Sequence, residues 1–160
     1  MGNQQMLVIG GLLILSYLML TFYNVRNDQT SFSLFTENVI TGTSVGQSLI
    51  DEIQTKSFDE KTISSAVTSA DSLTSVNSIG PDAGETNKSK FDDVDDYNGL
   101  KYSVSTNRIG TFSLSSQVYY VQNLNPNTKI NQRSFAKRVD VFVTNPLFED
   151  TLKFSTVISY

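Results

Sequence analysis

The chain has 160 residues, a formal net charge of −4, no cysteine and no histidine. Without cysteine there is no disulfide framework and no thiolate metal site. Without histidine the commonest general base and metal ligand is missing, so zinc chemistry and a Ser-His-Asp triad are excluded. The acidic balance argues against a general nucleic-acid binder, and no nucleic acid is expected among its partners.

Residues 6–23 read MLVIGGLLILSYLMLTFY. None is charged, the first charge is Arg26, and the first proline is Pro81. About 20 apolar residues cross a bilayer core as a helix, and the uncharged flanks bring this run to that length. A cleaved signal peptide needs a basic start and a small-residue cleavage site. Residues 1–5 hold no Lys or Arg, and Tyr23-Asn24-Val25 is not such a site. A retained membrane-type helix over residues 1–25 is therefore expected. Gly10 and Gly11 within it read either as local flexibility or as a place of close helix approach.

Residues 26–58 continue the helix with one apolar face. Val25, Phe32, Phe35, Val39, Gly42, Gly46, Leu49, Ile53 and Ser57 fall mostly at helical spacing, and Asp28, Glu37, Asp51, Glu52 and Lys56 take the other faces. Many of these residues are poor helix formers, so packing is needed to hold the helix. Running from about Gln4 to Ser57, it would be about 80 Å long, far more than a membrane's thickness.

Residues 59–99 are rich in Ser, Thr, Asp and Asn. Ile63, Val67, Ala70, Leu73, Val76 and Ile79 keep a spacing of three or four. That pattern leaves a short amphipathic helix, a wrapped loop and a disordered linker open. The turn Gly80-Pro81-Asp82-Ala83-Gly84 follows, and then the acidic stretch FDDVDDYNG at 91–99. Asp92, Asp93, Asp95, Asp96 and Asn98 offer the oxygen ligands that calcium favours, but their spacing is not that of an EF-hand loop. The plainer reading is an acidic turn whose carboxylates cap backbone N–H groups. No other cofactor, no catalytic residue and no enzyme activity is assigned.

Residues 100–160 carry strand signals at 100–105, 111–121, 137–144 and 151–160, joined by Asn-, Gly- and Pro-bearing turns. In 137–144 (KRVDVFVT), Val139, Val141 and Val143 face one way, and Arg138, Asp140, Phe142 and Thr144 the other. The fold class is therefore α+β. A long N-terminal helix, hydrophobic and then amphipathic, packs on a C-terminal antiparallel sheet of about four strands. Charge divides along the chain: residues 1–99 hold five Lys/Arg against thirteen Asp/Glu, and residues 100–160 seven against three. This asymmetry either guides one copy against another or reflects acidic loops preceding basic strands.

The same plan resembles the type IV pilin-like and pseudopilin family. The local strings that carry the resemblance are GQSLIDEI at 46–53 with Phe58-Asp59-Glu60, IGPDAGE at 79–85, FDDVDDYNG at 91–99 and KRVDVFVT at 137–144. They are similar to minor pilins of the mannose-sensitive-haemagglutinin and PilV-like type. Members of that family carry a basic leader and a glutamate at the fifth mature position; here no leader is visible, and either numbering starts at the mature end and Gln5 stands in for that glutamate, or Met1 is the true start. The resemblance implies a structural subunit of an extracellular helical filament, a fimbrium or pilus. The subunit is held in the inner membrane before assembly and then polymerises with copies of itself through the N-terminal helix. Met6, Leu7, Val8, Ile9, Leu12, Leu13, Leu15, Leu18, Met19 and Phe22 are the expected filament core, with Gln5 as a polar contact near the N-terminus. An assembly ATPase and a membrane platform protein are implied partners. Adhesion, motility, uptake and secretion share this scaffold. The alternatives are a single-pass membrane protein with a monomeric β-rich binding domain, and a minor pseudopilin of a secretion system.

Overall fold

A computed structural model describes residues 2–147 and 150–160. The chain forms two compact units that divide between Asn38 and Val39. The change of composition near residue 25 is therefore not a packing boundary.

Helix α1 spans Gly2–Gln54, 53 residues. No proline interrupts it, and several of its hydroxyl side chains bond back to its own backbone. Ser16, Thr21, Thr30 and Thr36 each donate to the carbonyl four residues back, at 2.8–3.0 Å. The helix ends at Gln54 rather than at Ser57, because Ser57 leaves for another partner. Its N–H donates to Asp92 O at 3.1 Å, and its carbonyl accepts from Val94 N at 2.9 Å. A parallel bridge thus joins Ser57 to Asp93.

In the second unit, the C-terminal turns of α1 lie on one face of an antiparallel sheet. Its strands are β1 (Lys101–Thr106), β2 (Gly110–Gln122), β3 (Asn125–Lys129), β4 (Ala136–Thr144) and β5 (Leu152–Ser159). The order is β1-β2-β4-β5, and β3 pairs with the end of β2. The four strands read from the sequence are present. The fifth, β3, lies in the segment expected as a turn. Pro126 is accommodated there because β3 is short and pairs only with β2.

Leu49, Ile50 and Ile53 of α1 meet Phe112, Leu114, Val118, Val139, Val141 and Val143 of the sheet, with Phe91, Val94 and Tyr97 beside them. Each fully buried side chain of this size contributes about 1.5–3 kcal/mol. Val39, Gly42, Gly46, Leu49 and Ile53 follow the expected helical stripe, and the last four are buried. Val25, Phe32 and Phe35, on the same predicted stripe, are exposed.

The 59–99 segment is a wrapped loop. It holds a five-residue helix, α2 (Glu60–Ser64), and several single 3-10 turns. Asp59 caps α2 reciprocally with Thr62, and Ser69 caps the next turn. Leu73 is buried with Phe58 and Tyr120, and Val67, Ala70, Val76 and Ile79 pack around this second cluster. The spacing of three marks contacts made by an irregular strap, not a helical face. Ile63, the first of the series, is exposed.

Candidate assembly surface and buried charge cluster

The described part of the first unit is a single helix, exposed at almost every position from residue 2 to residue 36. An 18-residue window in α1 reaches a mean hydropathy of 2.1, with 0% of that window buried. The helix is long and apolar enough to cross a membrane. Met6, Leu7, Val8, Ile9, Leu12, Leu13, Leu15, Leu18, Met19 and Phe22 are each more than half exposed. They surround the helix, as the sequence reading expects. Ile14, Tyr17, Leu20 and Tyr23 complete the apolar surface and are equally exposed. Gln5 sits exposed in the second turn.

The apolar surface does not stop where the uncharged run stops. Phe32 is 72% exposed and Phe35 49%, with Leu34 at 45%. Arg26 and Asp28 precede them, so this stretch is mixed: aromatic rings stand among polar groups.

The acidic stretch at 91–99 is mostly buried, and its carboxylates have different tasks. Asp93 Oδ1 accepts from the N–H of Asp95 at 2.6 Å and of Asp96 at 3.2 Å. Asp96 Oδ2 accepts from the N–H of Asp92 at 3.0 Å and of Asp93 at 3.2 Å. These are turn caps. Asn98 joins two segments, its Nδ2 donating to Ile79 O and its Oδ1 accepting from Val118 N. The side chains of Asp93 and Asn98 are thus engaged with backbone groups. The structure brings Asp92 and Asp96 together with Glu85 instead, their nearest oxygens within 4.8 Å of one another. Sequence reasoning missed Glu85, which approaches only because of the turn at 80–84.

Burial pushes the Asp93 carboxyl up to about 7, and the Asp95 charge adds to this. Burial likewise raises Asp96 to about 7, with Asp93 and a hydrogen bond to Glu85 assisting against the backbone donors. Asp95 is raised to about 6 by burial, against the pull of Lys137. Asp59 goes the other way. Burial opposes its charge, but the hydrogen bond and charge of Lys137, with the N–H groups of Lys61 and Thr74, hold it below the usual range.

Lys137 is the centre of this region. Its ammonium is fully buried and donates to Phe58 O and Asp59 Oδ2, both at 2.8 Å, and Asp95 Oδ1 stands 2.7 Å away. The rings of Phe58 and Tyr120 flank it at 4.5 and 5.2 Å from their centroids. Sequence reasoning missed this residue too. Strand alternation was the available signal: Lys137 shares the parity of Val139, Val141 and Val143, and so points into the core.

The outer face of the sheet carries a second knot. Asp140 accepts from Tyr119 Oη, Arg138 Nε and Ser155 Oγ, and pairs with Lys153 at 2.9 Å. Burial would raise its carboxyl, but these partners together hold it far below the usual range.

No protein-family model, curated protein or solved structure matches the chain.

Proposed function

We propose that this chain is the structural subunit of an extracellular filament of the type IV pilus kind, polymerised through its N-terminal helix. The observation that carries this reading is the exposure of Phe32, Leu34 and Phe35. A bilayer core is about 30 Å thick and accommodates about 20 helical residues. Residues 6–25 fill it. At 1.5 Å per residue, Phe32 and Phe35 lie about 10 and 15 Å beyond it along the axis. Lipid covers the first set of apolar residues but not the second. Packing against the same helix of another copy covers both.

The energetics favour two successive environments for one surface. Taking ten large apolar side chains out of water is worth on the order of 20 kcal/mol. Water is therefore excluded as a resting state for residues 6–23. The inner membrane holds the helix before assembly, and neighbouring helices replace the lipid afterwards. The return of Ser16 and Thr21 hydroxyls to the helix backbone suits both settings, because neither offers water as a partner. The absence of charged side chains from residues 2–25 means that this part of the helix buries no charged side chain. Gln5 supplies a neutral polar group at the inner end, able to hydrogen-bond a neighbouring chain without that cost. The assembly ATPase and platform protein belong to this reading by resemblance.

The test is a paired substitution, Phe32→Ser with Phe35→Ser, in cells that make the protein. Filament assembly requires these rings and membrane insertion does not. The expected result is intact membrane-inserted subunit with sheared surface fibres lost. Unchanged fibres contradict the role given to the two rings, and no fibres from the unsubstituted protein contradict the filament itself and favour a monomeric anchored domain.

A further inference from the structure

We infer that Lys137 and Asp95 become joined by an intramolecular amide bond, tying β4 covalently to the 3-10 turn at 95–97. The inference is independent of the filament reading.

The reacting groups are already in place. Lys137 Nζ is 2.7 Å from Asp95 Oδ1 and 2.8 Å from Asp59 Oδ2, and none of the three side chains is more than 3% exposed. Water is kept out by the Phe58 and Tyr120 rings over the ammonium. Groups held side by side and well oriented gain effective molarities that reach about 10⁵–10⁸ M, which lowers the barrier to their joining.

The two carboxylates are unlike, and the difference assigns their roles. Asp59 is held on every side. It accepts from the N–H of Lys61, from the N–H and hydroxyl of Thr74, and from Lys137, with Tyr120 Oη at 3.3 Å. Asp95, with both oxygens buried, has the Lys137 ammonium as its close partner and none of the backbone or hydroxyl donors that hold Asp59. A buried carboxylate with so few donors is poorly stabilised as an anion. It is the group whose conversion to a neutral amide relieves the most.

The step balances without an oxidant or a further reactant. The Lys137 ammonium passes one proton to Asp95, leaving a neutral amine beside a neutral acid. The amine attacks the Asp95 carboxyl carbon, forming the N–C bond. Asp59 takes one proton from the nitrogen of the tetrahedral intermediate and delivers it to the departing hydroxyl. The C–O bond breaks and one water leaves. Asp59 ends as the carboxylate it began as, and a buried cation and anion are replaced by one neutral amide.

The test is mass spectrometry of the full chain, denatured and then digested. The expected result is a branched peptide joining the segments that contain Lys137 and Asp95, one water lighter than their sum. In Asp95→Ala the two peptides separate at full mass. Separate, unmodified peptides from the unsubstituted protein overturn the inference and leave a buried ion cluster. A branch from Lys137 to Asp59 overturns the assignment of roles.

Discussion

Gly46 of α1 lies so close to Phe154 of β5 that a β-carbon there would stand 2.6 Å from the ring's Cε2, with Val143 Cγ2 at 3.0 Å. The helix can approach the sheet only because this position has no side chain. Gly46→Ala forces the helix outward or the Phe154 ring off its site. The expected cost is about 1–3 kcal/mol, as for other overpacked contacts, against the gain in helix propensity that alanine brings elsewhere. Thermal unfolding of the two proteins checks it. A higher melting temperature for the alanine variant would contradict the contact.

The stability of the second unit should fall as pH rises through neutrality. Asp93 and Asp96 are raised to about 7 in the folded protein, first by burial, from an ordinary value of about 4. The folded state therefore keeps protons that the unfolded chain has released. Their contribution is fully present below about pH 4 and is lost as pH climbs to about 7. Asp140, held low when folded by its hydrogen-bonding partners against burial, contributes above about pH 4 and loses its effect in acid. Maximum stability is expected at about pH 4–6. Melting curves at pH 5 and pH 8 check this, and a higher melting temperature at pH 8 would contradict it. Asp93→Asn with Asp96→Asn should flatten the difference.

On the outer sheet face, Asp140→Ala removes the common acceptor of Tyr119, Arg138 and Ser155 and the partner of Lys153. Losing a charged acceptor while leaving its donors costs about 1–3 kcal/mol. Denaturant unfolding should show a lower midpoint with an unchanged slope. An unchanged midpoint would mean that water replaces the carboxylate at no cost.

The C-terminal residue anchors the wrapped loop. Tyr160 Oη accepts from Val67 N at 3.0 Å, its ring lies 5.9 Å from Phe135 and 5.7 Å from Phe58, and its own N–H donates to Phe135 O. Tyr160→Ala should speed hydrogen exchange at residues 65–75 while leaving β2 and β4 protected. Equal protection of both regions in the variant would contradict this anchoring.

Much of this architecture is legible in the sequence because it rests on periodicity. The uncharged run at 6–23 and the alternation of Val139, Val141 and Val143 each point to one physical environment. What was hidden rests on approach between distant segments. Lys137 continues the valine parity into the core, yet a lysine there is credible only once Asp59 and Asp95 arrive from the loop. The acidic stretch at 91–99 looks solvent-facing by composition, but Asp93 and Asp96 use their charge on neighbouring N–H groups. The strap at 59–79 mimics helical spacing because each short turn returns one apolar residue to the Phe58–Tyr120 cluster. Phe32 and Phe35 follow helical spacing in the sequence, and their exposure is visible only in the structure.

The central claim is that the exposed helix is covered by other copies of itself. Electron microscopy of sheared surface material, with the protein identified in the fibres by mass spectrometry, tests it most directly. The expected result is filaments built of this chain, with residues 6–35 of neighbouring copies in contact at the centre. Membrane fractions holding only monomers, with no filaments containing the chain, would contradict it.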